Sequence, residues 1–367
     1  MNPLKALWEE QGQAVWLDFI ERRLLTGGGL TRLVEEDGVR GVTSNPSIFQ
    51  QAIEGSDAYD AAIDELLAEN PEMTAVELYE AVAIADIRLA ADELRPVWDR
   101  SSRADGFVSL EVSPRLARDT LGTVAEAQRL WIEVGRPNLM IKVPATPEGI
   151  PAIERLIGEG INVNATLMFS LEDYEAVAHA YLRGLAACAD PSGVASVASF
   201  FVSRVDTKVD KELELIGTEE ALALRGKAAV ANAKLAYRRF EELFHGEAFA
   251  PLAARGAQVQ RPLWASTGTK NPAYSDVLYV DELIGPETVN TLPVATMDAF
   301  RDHGRIRATV GEDVAAADAV LADLAALGVD LGAVTGELQV EGVAAFAASF
   351  DQLLAALETA IAERTTK

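Results

Sequence analysis

Lys142 stands inside the apolar run Leu139-Met-Ile-Lys-Val-Pro144, where a period of two places Met140, Lys142 and Pro144 on one face of a strand. Burial disfavours an ammonium, so a lysine walled by apolar strands is driven toward the neutral amine, the form that condenses with a ketone to a Schiff base. Two acids break comparable runs: Asp18 in Val15-Trp-Leu-Asp-Phe-Ile20 and Glu111 in Val108-Ser-Leu-Glu-Val112. Carbinolamine formation, dehydration and carbon–carbon cleavage each move a proton, and two carboxylates in unlike surroundings can divide that work. The competing reading is a structural ion pair of Lys142 with Glu111 or Asp18, and the residues alone leave both open. A helix-cap role fits Glu111 poorly, because Ser113 and Pro114 follow it and are the better start signal.

Further polar residues sit where strands should be apolar. Thr43 and Asn45 end the second run, Asn164 and Thr166 occupy Ile161-Asn-Val-Asn-Ala-Thr166, and Ser199 lies in a sixth. Burying polar groups costs free energy unless they are paired, so their recurrence at run ends points to one shared cavity. Arg204 follows the sixth run, and Ala265-Ser-Thr-Gly-Thr-Lys-Asn271 sets Ser266, a glycine and Lys270 in a loop suited to an anion. Solvated loop cations are the ordinary alternative for Arg204 and Lys270. The sequon Asn164-Ala-Thr166 falls in a predicted buried strand and reads as a chance match. His179, His245 and His303 are scattered and Cys188 is single, so neither a metal site nor an internal disulfide is expected.

Eight apolar or alternating runs would position these side chains: 15–20, 41–45, 107–112, 139–144, 161–166, 196–201, 262–267 and 288–293. Helical patterns separate them, as in Val76, Tyr79, Ala83, Ile87, Ala90 and Leu94, whose spacing predicts one apolar face. Eight strand–helix repeats predict an α/β fold, a (β/α)₈ TIM barrel, with an open doubly wound sheet as the competing architecture. The segment 70–100 exceeds one crossover helix, so additional helices are expected as an insertion after strand 2. Val343, Phe346, Phe350, Leu353 and Leu357 predict a C-terminal helix packed across the barrel or against another subunit. No repeat or linker divides residues 1–367, which read as a single domain.

The 367 residues are 49% hydrophobic and 24% charged, ample for a large core. A net charge of -25 repels phosphate backbones and anionic lipid, so nucleic acid and membrane are not expected partners. No uninterrupted apolar stretch of spanning length and no signal peptide is read, and a cytoplasmic location is expected.

Three stretches together resemble the signatures of transaldolases: Gly41-Val-Thr-Ser-Asn-Pro-Ser-Ile48, Leu139-Met-Ile-Lys-Val-Pro-Ala-Thr-Pro-Glu-Gly-Ile150 and Gly160-Ile-Asn-Val-Asn-Ala-Thr-Leu-Met-Phe-Ser170. The chain is similar to the longer bacterial members of that family over nearly its whole length. The resemblance implies a (β/α)₈ barrel that transfers a dihydroxyacetone unit from sedoheptulose 7-phosphate to glyceraldehyde 3-phosphate, giving erythrose 4-phosphate and fructose 6-phosphate in the non-oxidative pentose phosphate pathway. It implies sugar-phosphate substrates and no cofactor, and leaves a monomer or homodimer open.

The same resemblance implies that Lys142 forms the Schiff base, that Glu111 acts through a water, and that Asp18 takes the hydroxyl proton during cleavage. Thr43, Asn45, Asn164, Thr166 and Ser199 match positions that line the dihydroxyacetone pocket or hold the water. Phe201 matches an aromatic wall and Arg204 a phosphate ligand. Many members place an arginine two residues after a serine at the seventh strand. Here Ser266 is followed by Thr267 and Gly268, so Lys270 is expected to supply that charge as a point rather than a planar fork. Two alternatives remain at this stage: a fructose-6-phosphate aldolase, which releases the three-carbon unit, and a catalytically silent barrel that only binds sugar phosphates.

Overall fold

The computed structural model describes residues 2–365. Eight parallel strands close into a barrel in sequential order: β1 (Gln13–Leu17), β2 (Gly41–Thr43), β3 (Phe107–Glu111), β4 (Leu139–Pro144), β5 (Val163–Met168), β6 (Ser196–Phe201), β7 (Arg261–Ala265) and β8 (Thr288–Leu292). Closure comes from pairing the first strand to the last, from Gln13 opposite Thr288 to Leu17 opposite Leu292. The expected (β/α)₈ barrel is therefore observed, and the open sheet is excluded. The longer helices are α1 (Pro3–Gln11), α2 (Pro46–Glu54), α3 (Asp60–Glu69), α4 (Ala75–Arg100), α5 (Thr120–Val134), α6 (Gly149–Gly158), α7 (Leu171–Ala187), α8 (Ser203–Ile216), α9 (Ala228–Phe244), α10 (Val294–His303), α11 (Val314–Ala326) and α12 (Leu331–Thr365).

Helices α2, α3 and α4 form the insertion expected after strand 2. Helix α4 starts at a capping box, with Thr74 and Glu77 each bonding the other's backbone N–H. Its buried face carries Tyr79, Ala83, Ile87, Ala90 and Leu94 as the spacing predicts, but Val76 is a correction. It is 37% exposed, although Ala75 and Leu78 of the same turn are buried.

Several anticipated strands are shorter or displaced. The first ends at Leu17 and the second at Thr43, so Asp18 and Asn45 stand just past the strands in which they were read. The seventh ends at Ala265, before Ser266. The fifth instead continues to Met168 through a register irregularity, and Leu167 there has a φ of 59°.

At the N-terminal end of the barrel, Trp16 fills the interior. It leaves no room for a side chain at Gly41, where a Cβ would lie 2.5 Å from the indole. Beneath it the fully buried Asp105 accepts hydrogen bonds from Trp16 Nε1, Arg40 Nε and Arg261 Nη2 at 3.1, 2.8 and 2.9 Å. Two guanidiniums on one carboxylate satisfy a charge that burial would otherwise expel.

Helix α12 runs across the C-terminal mouth. Gln339 Nε2 donates to Ala145 O at 3.0 Å, Ser349 and Ser47 hydroxyls lie 2.7 Å apart, and the rings of Phe350 and Tyr79 stack edge-on at 5.4 Å. Of the two placements expected for this helix, the one across the barrel is therefore observed. Leu331–Arg364 is long and apolar enough to cross a bilayer by length and composition alone, but Glu337, Glu341, Asp351 and Glu358 interrupt it, in keeping with the expectation that no uninterrupted apolar stretch of spanning length occurs. Its many alanines raise the hydropathy, while Phe346, Phe350, Leu353 and Leu357 are buried against the barrel.

Candidate active site

Side chains alternate along each strand, so Asp18 continues the interior face of Trp16, Thr43 that of Gly41, and Glu111 that of Ser109. Met140, Lys142 and Pro144, then Asn164 and Thr166, then Ser199 and Phe201, continue the series around the barrel. Because the strands are parallel, the residues at their C-terminal ends converge, and there a cavity of about 360 Å³ opens. Its wall includes Asp18, Thr43, Asn45, Lys142, Thr166, Ser199, Phe201, Arg204, Ser266 and Lys270.

The two anticipated residues absent from that wall lie behind it. Asn164 is fully buried one layer down, where Nδ2 donates to Ser109 Oγ at 3.0 Å and Oδ1 accepts from Ser199 Oγ at 2.7 Å. Glu111 stands behind Lys142, and its Oε2 lies 3.4 Å from Nζ. The ion pair held open at the outset is thus present, alongside an amine facing the cavity. Lys142 Nζ also donates to Ser44 O at 3.2 Å.

The two carboxylates are held differently. Asp18 Oδ1 accepts from Thr43 Oγ1 at 2.7 Å. Withdrawal from bulk water pushes its proton affinity up, opposed first by Lys142, then by the Thr43 bond and by Lys270 and Arg204. Burial also raises Glu111, with Lys142 as the main opposing charge and Asp18 adding to the rise. Both Glu111 oxygens and Thr166 Oγ1 are buried with no hydrogen-bond partner among the described residues. A buried polar group without a hydrogen bond costs about 1–3 kcal/mol, so one carboxylate and one hydroxyl left so beside the cavity are groups with bonding capacity to offer a ligand.

Asn45 has a second duty. Its side chain accepts from Ile48 N at 3.0 Å and caps α2, with Pro46 at the first helical position. Arg204 opens α8 and lies over the Phe201 ring at 5.4 Å. Burial lowers its proton affinity, countered by Asp18 and Glu341. Ser266 and Ser203 hydroxyls are 3.1 Å apart. Lys270 is exposed at the rim, so a half-buried guanidinium and an ammonium flank one side of the opening.

Sequence reasoning placed Phe346 only on the apolar face of a helix. It also lines the cavity, and its ring centroid lies 5.7 Å from Lys142 Nζ. Gln51 and Thr291 belong to the wall too, without having been anticipated. Gln51 follows the helix cap by six residues and Thr291 lies in an eighth run with no charged residue to draw notice. Among the described residues no group of three or more His, Cys, Asp or Glu is arranged for a metal ion. An amine with one carboxylate behind it, another beside it, hydroxyls around it and two cations at the opening suits a polyhydroxy carbonyl compound with an anionic end.

The family model described as transaldolase/fructose-6-phosphate aldolase matches residues 15–357. A transaldolase of Thiobacillus denitrificans is 55% identical over 348 residues, covering 94% of this chain and 96% of that protein. Transaldolase 1 of Streptomyces coelicolor is 53% identical, covering 95% and 92%, and the transaldolase of Thermobifida fusca is 51% identical, covering 99% and 100%.

Proposed function

The chain belongs to the transaldolase/fructose-6-phosphate aldolase family, and from that premise we propose that it is a transaldolase, a transferase in which Lys142 carries a dihydroxyacetone unit between sugar phosphates. The donor is sedoheptulose 7-phosphate, the acceptor glyceraldehyde 3-phosphate, and the setting the non-oxidative pentose phosphate pathway in the cytoplasm. One barrel domain spans the chain in this reading.

The observation that carries it is Lys142, which faces a cavity with Glu111 at 3.4 Å behind it and Asp18 on the same wall. Glu111, whose proton affinity burial raises, takes the proton that the ammonium must lose before the amine attacks the ketose carbonyl. It returns that proton as water leaves the carbinolamine. Asp18 then removes the hydroxyl proton at C4, the C3–C4 bond breaks to release erythrose 4-phosphate, and the bonding electrons pass into the protonated imine to give an enamine. The acceptor aldehyde adds to the enamine and takes the Asp18 proton, and water releases the product. Thr43 orients Asp18 through its 2.7 Å bond. Asn164 and Ser199 hold the wall below the imine, and Arg204, Ser266 and Lys270 bind the phosphate.

The family description also covers fructose-6-phosphate aldolase, whereas the relatives cited above are named as transaldolases. Borohydride reduction in the presence of fructose 6-phosphate, followed by peptide mass spectrometry, tests the proposal. A three-carbon adduct on Lys142 that disappears on adding erythrose 4-phosphate is expected. An unmodified Lys142 in folded protein overturns the mechanism, and free dihydroxyacetone formed at the same rate with and without acceptor overturns the transfer.

A further inference from the structure

Helix α8 presents two buried aspartates one turn apart, and each makes the same pair of bonds. Asp206 accepts from Ala229 N at 2.8 Å and from Tyr279 OH at 2.9 Å. Asp210 accepts from Gly226 N at 2.9 Å and from Tyr274 OH at 2.6 Å. One bond of each pair ties α8 to the start of α9, and the other ties it to the chain that follows β7. The Tyr274 bond falls within the loop 266–277, which carries Lys270.

The middle of that loop carries short-range bonds of its own, Thr269 Oγ1 to Ser275 O at 2.8 Å and Tyr274 N to Asn271 O at 3.1 Å. The loop's two ends are fixed, Ser266 to Ser203, Thr267 Oγ1 to Asn290 Oδ1 at 2.8 Å, and Asp276 to His303 at 2.8 Å, whereas across 268–275, which holds Lys270, the tie to a distant element is the Tyr274 bond to Asp210. Gly226, at φ 71°, lets the Tyr274 ring lie flat on the backbone, where any Cβ would come within 2.9 Å of the ring. Lys270 borders both the substrate cavity and a smaller cleft of about 200 Å³ lined by Asp206, Asp210 and Tyr274.

We propose that Asp210 and Tyr274 are positioning residues for the phosphate end of the substrate. They pin the loop bearing Lys270 to the helix bearing Arg204 and thereby fix the separation of the two cations. The inference rests on the phosphate role given above to Arg204 and Lys270. A lysine is a point charge on a flexible stem, so its placement depends on the backbone beneath it more than an arginine fork would.

The test uses the full chain and compares Tyr274→Phe with Tyr279→Phe. Both variants lose one tyrosine–aspartate bond, but only the first releases the Lys270 loop. Tyr274→Phe is expected to raise KM for fructose 6-phosphate and the inhibition constant of inorganic phosphate together, by about five- to tenfold, as loss of a bond to a charged acceptor allows. Its kcat and its reactivity toward unphosphorylated fructose stay within twofold, and amide exchange quickens across 266–277. Tyr279→Phe leaves both phosphate constants within twofold. Equal shifts in the two variants, or a Tyr274→Phe enzyme with unchanged phosphate constants, overturn the proposal. Should Tyr274→Phe fail to fold by circular dichroism, Asp210→Asn carries the same expectations. A wild-type enzyme indifferent to inorganic phosphate overturns the underlying phosphate role instead, and loop exchange then decides the tether by itself.

Discussion

Replacing Lys142 by Met keeps the aliphatic stem and removes the charge, leaving Glu111 buried without its counter-ion. Breaking a buried pair from one side costs about 3–5 kcal/mol, because the surviving charge stays desolvated. The 3.4 Å separation and the lack of any hydrogen bond to Glu111 favour the lower figure, about 3 kcal/mol. At roughly 2.1 cal/mol/K of unfolding entropy per residue, 367 residues lose about 4 °C in Tm for that amount. The loss must depend on pH. Glu111 already has its proton affinity raised above the ordinary carboxyl value of 4.5, and Lys142 is the main charge opposing the rise. Without Lys142 the folded-state value climbs further. Stability from a protonated Glu111 is fully present below 4.5 and is lost as pH rises through the folded value. The deficit of Lys142→Met relative to wild type should therefore widen between pH 4.5 and pH 8, and adding Glu111→Gln should remove most of it. Differential scanning fluorimetry at the two pH values measures both. A deficit equal at the two values, or a double variant no more stable than the single at pH 8, refutes the reasoning.

Three further outcomes follow from the geometry. Asp18→Asn should still give a borohydride-trapped adduct on Lys142, now carrying the whole six-carbon sugar phosphate instead of three carbons, while turnover falls by about 10²–10⁴, the usual worth of a proton-transfer group; loss of any adduct would show that Asp18 serves imine formation. Because burial raises Asp18, and a base must be ionised to act, the acid limb of the cleavage rate should lie above the ordinary value of 3.8; a pH–rate profile with its limb at or below that value contradicts the assignment. Asp105→Ala strands Arg40 and Arg261 at the far end of the barrel and should lower Tm by about 4–6 °C at about 3–5 kcal/mol, with kcat at 25 °C unchanged within twofold, and a large drop in kcat would reveal coupling between the two ends.

The strands and the charged groups that gather at their ends were the parts most legible in the sequence, and for the same reason. A buried parallel strand is almost wholly apolar, so Lys142, Glu111 and Asp18 are conspicuous against their neighbours. The third, fourth, sixth and eighth strands match their runs closely, since Gly, Pro or Ser punctuates their ends. What stayed hidden lies in groups whose partners are distant along the chain. Asp105 shows no sign that Arg40 and Arg261 converge on it from two other strands' beginnings. Phe346 obeys the same three- and four-residue spacing as its packed neighbours Phe350 and Leu353, so periodicity cannot separate a cavity wall from a core position. The tether from Tyr274 to Asp210 joins a loop to a helix face 64 positions away and leaves no local pattern.

The wall around Lys142 takes Asp18 from near the start of the chain and Phe346 from the helix across the mouth. A growing polypeptide therefore has all eight strands before it has a finished reaction chamber. Phe346, Phe350, Leu353 and Leu357 of α12 are buried in the same core as the barrel, so the helix that roofs the cavity also covers apolar surface of the barrel. The order of the chain thus places the ring over Lys142 among the parts synthesised after every strand.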